Sequence, residues 1–431
     1  MTVTAFLGMR GNGDWATDER PKNWRQGILR LYPNGMAPLT AILSKMSERK
    51  VDDAEFNWWS KELPTQGGTV TGVYTETTLS TTLAAAASSG DTLYLKCALA
   101  TANEFRAGHV ALLRYSADPT VDVVAKVTDV HKNGASSYIA CYLLEDDDNS
   151  TDFDLTNCDT ILIIGTVNAE GAAMPDAIAY KPTKYNNYTQ IFRTPISITR
   201  TAKKTKLRTE DAYKEAKRDG LELHSIEMEK AYIFGIPTEG TGSNSKPERT
   251  TGGIFYATRT YAPDNVRNFK YEVGADYAGK TWLEAGETWL DTYLEQIFRY
   301  GSQEKMAFCG SGAILGINRL VKAGGYFEYS SKTVAYGIKV VEWTTPFGTL
   351  FMKTHPLFSY NEVDRHTMMI FEPRLLDYRF IDDTNYYKDK SSGSGRIDGL
   401  NEEWLTECGL EYHFPEAFGV FYGVGQDNVV A

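Results

Sequence analysis

The sequence predicts a mixed α+β fold with one long helix and a small all-β insertion. Tyr188–Gly235 runs as an extended, β-leaning stretch that passes straight into a long amphipathic helix. Residues 88–166 hold five short β runs separated by turn signals. Beyond residue 254, helical and strand patterns mix without the steady strand–helix repetition of a parallel sheet.

The elements follow in chain order. Residues 1–35 are rich in Gly, Asn and charge with isolated apolar positions, and read as an arm that lies on something else. Pro38–Lys50 is predicted to be a short helix with Pro in its first turn and Leu39, Ile42, Leu43 and Met46 on one face. Phe56, Trp58 and Trp59 cluster before the breaks at Pro64 and Gly67-Gly68. Residues 69–83 alternate Thr with apolar residues or Tyr, the pattern of a strand with one wet face. The five β runs are Asp91–Cys97, His109–Tyr115, Val121–Val130, Ser137–Leu144 and Thr160–Ile164, expected as a small barrel or sandwich. The extended run Tyr188–Arg200 is expected to pair with the run before the insertion, as a long hairpin tipped by the β module.

The long helix is predicted to start near Thr209 as N-cap, with Glu210 and Asp211 in the first turn, where carboxylates suit the helix dipole. Ala212, Ala216, Leu223, Ile226 and Ile233 make one stripe, and Gly235 and Pro237 end it. At about 1.5 Å per residue it would be about 39 Å long, a strut. Gly220 in its middle costs up to about 1 kcal/mol relative to Ala, and close packing would explain it. Further helices are predicted over Thr281–Arg299 and Ala313–Ala323. Strands are predicted at Lys305–Cys309, within Tyr336–Met352, at Thr367–Phe371 and at Glu407–His413.

Composition bounds the function. The 431 residues carry a formal net charge of −11, which argues against a dedicated nucleic-acid binder but not against a protein that encloses nucleic acid. The five Cys are odd in number and widely spaced, without CxxC, and read as reduced thiols of a cytosolic product. The N-terminus lacks the apolar core of a signal peptide, and no apolar run reaches the ~20 residues a membrane span needs. The 26 Tyr hint at interfaces.

Motifs for chemistry are thin. Gly310-Ser311-Gly312-Ala313-Ile314-Leu315-Gly316 joins a strand to a helix like a dinucleotide loop, but its last Gly falls one position late, so a structural turn is preferred. Asp146–Asp152 resembles a calcium loop, yet Thr151 stands where Gly is required and Asn157 where Glu is, so a solvated acidic turn is preferred over a cation site. The six His show no metal spacing, and His224 reads as a packing or surface residue. No catalytic, cofactor-binding or metal residue is assigned. Lys203, Lys204, Lys206 and Arg208 at the strand–helix junction could meet phosphate, pair with carboxylates of a neighbouring subunit or simply be a solvated helix entry, and the pairing is preferred.

Arm, short helix, two-stranded extension, long helix and a later α+β region with a C-terminal strand return stand in an order that resembles the major capsid proteins of tailed bacteriophages, the Hong Kong 97 type fold. Phe192-Arg193-Thr194-Pro195 followed by Thr201-Ala202-Lys203 resembles a subfamily with a β insertion in its extended loop. So do Lys246–Ile254, Phe347-Gly348-Thr349-Leu350 and Pro415–Gly419. The resemblance covers nearly the whole chain, and the order of the motifs carries it.

The resemblance implies a shell protein without catalytic residues or cofactors. Residues 1–64 would be the arm and short helix, and 65–204 an extended loop containing the 88–166 insertion. Residues 205–254 would be the spine helix and peripheral domain, 255–375 mainly the axial domain, and 376–431 the return to the peripheral domain. Copies would form hexamers and pentamers around double-stranded DNA, with a separate scaffolding protein, a portal and a decoration protein as partners, and no membrane. Intersubunit contacts are expected at Arg193, Lys203, Lys204, Lys206, Arg208, Trp58 and Trp59. The competing expectations are an encapsulin-like compartment shell, another virion component, and a nucleotide-binding enzyme resting on the GSGAILG turn.

Overall fold

The computed structural model describes residue 39 and residues 48–61, 64–149, 153–205, 211–324, 330–333, 339–388 and 399–430. In chain order the strands are β1 (Glu48–Lys50), β2 (Glu55–Ser60), β3 (Gly67–Tyr74), β4 (Thr92–Cys97), β5 (His109–Tyr115), β6 (Asp118–His131), β7 (Tyr138–Leu143) and β8 (Thr160–Thr166). They continue with β9 (Thr183–Tyr188), β10 (Gln190–Thr199), β11 (Thr238–Thr241), β12 (Pro247–Thr250), β13 (Val266–Asn268), β14 (Glu304–Cys309) and β15 (Ser330–Thr333). The last are β16 (Lys339–Thr345), β17 (Gly348–Thr354), β18 (Met368–Phe371), β19 (Leu376–Lys388), β20 (Gly399–Tyr412) and β21 (Gly419–Tyr422). The helices are α1 (Leu99–Glu104), α2 (Arg200–Lys204), α3 (Ala212–Phe234), α4 (Ile254–Tyr261), α5 (Trp282–Phe298), α6 (Ser311–Gly324) and α7 (Pro356–Tyr360). The class is α+β, as the sequence predicts. Two compact units divide the chain, residues 1–58 with 184–431, and residues 59–183.

The larger unit is built on two sheets. One has the order β1-β19-β20-β10, and the other β13-β21-β18-β14-β17-β16-β15. Strand β14 lies inside the second sheet, buried on both faces as its apolar sequence requires. Successive side chains leave a strand on opposite faces, so Met306 and Phe308 enter one core while Ala307 and Cys309 enter another. The first core joins Met228, Tyr232 and Ile233 of α3 to Phe255, Phe371, Cys408, Leu410 and Tyr412. The second gathers Trp282, Trp289, Leu290 and Leu294 of α5 with Ile317 and Leu320 of α6. Helix α5 starts with a capping box: Glu284 accepts from the Thr281 N–H at 2.8 Å, and the Thr281 side chain takes the third backbone N–H.

The smaller unit is a closed barrel in the order β3-β4-β7-β6-β5-β8, every pair antiparallel. Closure removes free edges. Leu93, Leu95, Leu113, Val123, Val127, Ile139, Leu143 and Ile161 point inward and fill it. All five predicted β runs are strands of this barrel.

The structure corrects four local expectations. First, Tyr188–Arg200 does not pair with the run before the insertion. Strand β10 pairs antiparallel with β20 from Gln190↔Cys408 to Thr199↔Gly399, and β3 closes the barrel against β8. The all-β unit therefore takes in Gly67–Tyr74, ahead of residue 88. Second, the long hairpin of this fold is β19–β20. Third, Glu48–Lys50 is a strand pairing parallel with Tyr378–Phe380, so the ladder overrides helix propensity at the end of the predicted Pro38–Lys50 helix. Leu39 is helical, and residues 40–47 lie outside the described residues. Fourth, Thr209 and Glu210 also lie outside them, and the long helix is capped by Asp211, whose carboxylate accepts from Tyr213 N–H at 3.0 Å.

Candidate functional site

Among the described residues there is no catalytic constellation, and most of the predicted contact residues fall in one place. That place is the sheet β1-β19-β20-β10 with α3 lying on it. Gly220, His224, Met228 and Tyr232 recur every four residues and are all buried, which places one stripe of α3 on the sheet. A Cβ at Gly220 would lie 3.0 Å from Ile196 Cδ1 and 3.5 Å from Trp404. The mid-helix glycine thus lets α3 approach two side chains of β10 and β20.

Polar groups fix the register of helix on sheet. His224 Nδ1 lies 2.9 Å from Thr194 Oγ1 on β10, and Nε2 lies 2.7 Å from Thr406 Oγ1 on β20. Burial lowers the His224 pKa, which keeps the ring neutral with one nitrogen donating and the other accepting. Toward the helix C-terminus, the Tyr232 hydroxyl and Cys408 Sγ are 2.9 Å apart. Glu229, fully buried, accepts from Leu39 N–H at 2.8 Å and sits 2.9 Å from His355 Nε2. At the other end Tyr213 donates to Glu402 at 2.6 Å, and Tyr386 donates to the same oxygen. Burial works to raise the Glu402 pKa, but the two phenols, Lys388 and Lys203 outweigh it and lower it.

The expected contact residues separate. Strand β10 buries Phe192, Thr194 and Ile196 against its own chain and exposes the alternate residues. Its outer face therefore presents Ile191, Arg193 and Pro195. Arg193 forks onto Glu403 through Nε at 2.8 Å and Nη2 at 2.7 Å. The two border a cleft of about 350 Å³ with Pro195, Tyr387, Lys388 and Asn401. Pro195 fits because β10 is the edge strand of its sheet. Lys203 and Lys204 stand exposed on α2, with Lys203 Nζ 4.6 Å from the Tyr213 ring centroid. Lys206 and Arg208 lie outside the described residues. Trp58 is a core residue, stacked on Phe56 and Tyr185 at 6.0 Å each with its edge to Tyr412. Trp59, one position on, is 64% exposed, as strand alternation requires.

The other motifs resolve into packing. A Cβ at Gly310 would meet Arg365 O at 2.2 Å, one at Gly312 the His366 ring at 2.6 Å, and one at Gly316 Gly425 Cα at 2.3 Å. The GSGAILG glycines are thus consumed by close approaches inside the fold. Asp147 accepts from Leu155 N–H and Asp146 from Ser89 N–H, so the acidic turn caps backbone. Asp377, Glu411 and His413 bring ligand atoms within 4.8 Å of one another. The Arg379 guanidinium already donates to Glu411 and lies 3.8 Å from Asp377, where a metal would otherwise supply positive charge.

Sequence reasoning missed Asn187, Glu229 and Glu402. Asn187 is fully buried and bonds Gly252 N–H, Gly252 C=O and Leu410 C=O, tying β9 to the turn after β12. For Glu229 the available signal was a carboxylate beside Met228 on the apolar side of a helix. For Asn187 there was none.

Comparison with known proteins places this architecture. A family described as the SU10 major capsid protein matches residues 6–425. A major capsid protein of Pseudomonas phage PaMx41 is 27% identical over 250 residues, 57% of this chain and 57% of that protein, so the match spans just over half of that relative's length. Among solved structures, that of Mycobacterium phage Bobi superposes with a TM-score of 0.45 at 7% identity over 94% of this chain and 96% of that one. That of Microbacterium phage Oxtober96 gives 0.44 at 10% identity over 96% and 98%. The holo-SrpI encapsulin complex of Synechococcus elongatus gives 0.37 at 13% identity over 57% and 76%. These superpositions are loose, and the sequence match along nearly the whole chain decides the assignment: this chain belongs to the SU10 major capsid protein family.

Proposed function

We propose that this chain is the repeating subunit of a tailed-phage capsid of the Hong Kong 97 type, a virion protein with a structural and not a catalytic role. Many copies would close, as hexamers and pentamers, into an icosahedral shell around double-stranded DNA. The family match over residues 6–425 carries this reading. Helix α3 would be the spine of a peripheral domain within 205–254, residues 255–375 would form mainly the axial domain, and 376–431 would return to the peripheral domain. Because β10 spends its inner face on its own sheet, it would offer a neighbour only its outer face, and the excursion before it would be the part of the 65–204 loop that reaches outward. A separate scaffolding protein, a portal and a decoration protein are the expected partners. DNA would be enclosed without sequence readout, in keeping with the net charge of −11. Among the described residues no helix is long and apolar enough to cross a membrane.

Negative-stain microscopy of the full chain, alone and co-expressed with its neighbouring phage gene products, tests the proposal. Closed shells or capsomer rings are expected. A monodisperse monomer under every condition overturns it, and particles from infected cells that hold protein cargo and no DNA would indicate a compartment shell instead.

A further inference from the structure

Charge is distributed unevenly along this chain. Residues 59–183 hold 16 of the 56 acidic residues and only 7 of the 45 basic ones, so this unit carries −9 of the net −11. The barrel sharpens the bias. Its strands alternate in direction, so the connections after β3, β5 and β7 share one end. The described residues 75–91, 114–122, 144–149 and 153–160, which form that end, contain 10 acidic residues and one basic residue, Arg114. The chain enters before β3 and leaves after β8 at the opposite end. There the described residues 61, 64–66, 98–108, 131–137 and 167–183 hold three acidic and four basic residues.

The acidic rim is ordered but not neutralised. Asp118 accepts from Thr120, Asp146 from Ser89 N–H and Glu145 from Val124 N–H, while Asp122 takes the lone Arg114 at 2.8 Å. N–H and hydroxyl donors fix carboxylates without cancelling their charge.

Just inside this rim, the outer wall of the barrel is apolar. Leu112 of β5 lies opposite Leu162 of β8 on one side and Val124 of β6 on the other. Leu144 continues the row by donating its N–H to Val124 O. Leu144 is 47% exposed, Leu162 38% and the neighbouring Ile164 50%. A contiguous apolar row across β8, β5 and β6 to Leu144, rimmed by charge, marks an interaction surface. A closed barrel offers no strand edge, so recognition there must use side chains.

We propose that the outer wall over β6, β5 and β8 docks a separate protein that presents an apolar tip set among lysines and arginines. Charge complementarity selects this occupant. The remainder of the chain is close to balance, with 38 basic and 40 acidic residues, so a second copy brings less counter-charge than a basic partner, and docking of its exposed Lys203 and Lys204 is the alternative that the test below separates. The inference holds whether or not copies close into a shell.

The test uses the full chain and a labelled helical peptide about five turns long, with Leu along one face and Lys elsewhere. Its controls are a peptide of the same composition with the Leu scattered, and a Glu-for-Lys counterpart. The patterned peptide is expected to bind about tenfold or more tighter than either control. Leu162→Ser with Ile164→Ser should weaken it by a similar factor at unchanged melting temperature. Asp122→Asn with Glu145→Gln should weaken it and flatten its salt dependence. Equal binding of patterned and scattered peptides, or full affinity in the apolar variant, overturns the proposal. So does peptide-free self-association abolished by Leu162→Ser, which would assign the face to a second copy.

Discussion

His224 Nε2 lies 2.7 Å from Thr406 Oγ1, so the middle of the long helix is tied to the middle of β20 by a fully buried polar contact. With Thr194 on the ring's other nitrogen, one imidazole pins α3 to two adjacent strands. Replacing His224 by Leu strands two buried hydroxyls, each costing about 1–3 kcal/mol when left unsatisfied. Thr384 can rescue one of them, because Thr406 also reaches its hydroxyl at 2.9 Å. The expected loss is about 2 kcal/mol, read by urea unfolding of the dispersed subunit. Wild-type stability in the variant would show that the contact is incidental.

The same residue sets a pH dependence. Burial lowers the folded pKa of His224 below its ordinary 6.5. Below pH 6.5 the unfolded chain therefore binds a proton that the folded chain refuses, and stability falls as pH drops. Its contribution is fully present above pH 6.5 and is lost by up to about 1.4 kcal/mol per pH unit below it. His109 in the barrel shifts the same way, through burial and then Arg106, so the measurement is a difference. Between pH 7 and 5, wild type should lose more unfolding free energy than His224→Gln. Parallel losses would remove His224 from the account.

Helix α6 is held by glycines. Gly316 faces Gly425, and a Cβ on it would sit 2.3 Å from the Gly425 Cα. Gly425 has φ +82°, a backbone conformation that glycine alone adopts freely, so neither side can yield cheaply. Gly316→Ala should cost about 1–3 kcal/mol of overpacking strain despite alanine's better helix propensity. A thermal melt unchanged from wild type would reopen a ligand-binding role for the GSGAILG turn.

What could be read in advance follows from how local each cause is. Five of the six barrel strands, α5 and α6 announce themselves through periodicity and caps that act within a few residues. The partner of Tyr188–Arg200 did not, because register is a long-range choice. Gln190 meets Cys408 across 218 positions, and no alternation within β10 distinguishes β20 from β3. The contact residues were legible by type but not by side. Trp58 and Trp59 look alike in sequence, and only strand alternation sends one into the core and the other outward. Glu402, which takes two phenols and the field of Lys203, gains its role from residues far along the chain.

That alternation makes a paired prediction. Trp58→Ala removes a core ring and should cost about 3–5 kcal/mol, seen as a lowered melting temperature of the unassembled subunit. Trp59→Ser should leave that melt within about 0.5 kcal/mol. If Trp59 is a subunit contact, its loss will instead reduce the yield or thermal tolerance of assembled particles. Assembly as efficient as wild type from Trp59→Ser would strike Trp59 from the interface.

Arg193 poses the sharpest question about the interface, because it already has a partner. Its fork onto Glu403 is 61% exposed on the arginine side, and exposed ion pairs contribute about 0–1 kcal/mol. Arg193→Ala should therefore barely move the stability of the lone subunit. In a shell, a neighbour packed over the adjoining cleft would exclude water from the pair, and a charge pair shielded from solvent is costly to break, by about 3–5 kcal/mol when one partner is removed. Arg193→Ala should then lower particle yield and make assembly sensitive to salt, while Glu403→Gln, which keeps the shape and removes the charge, should reproduce the defect. If both variants assemble like wild type at low and high salt, Arg193 serves only its own strand pair, and the intersubunit contacts must be sought at Lys203 and Lys204.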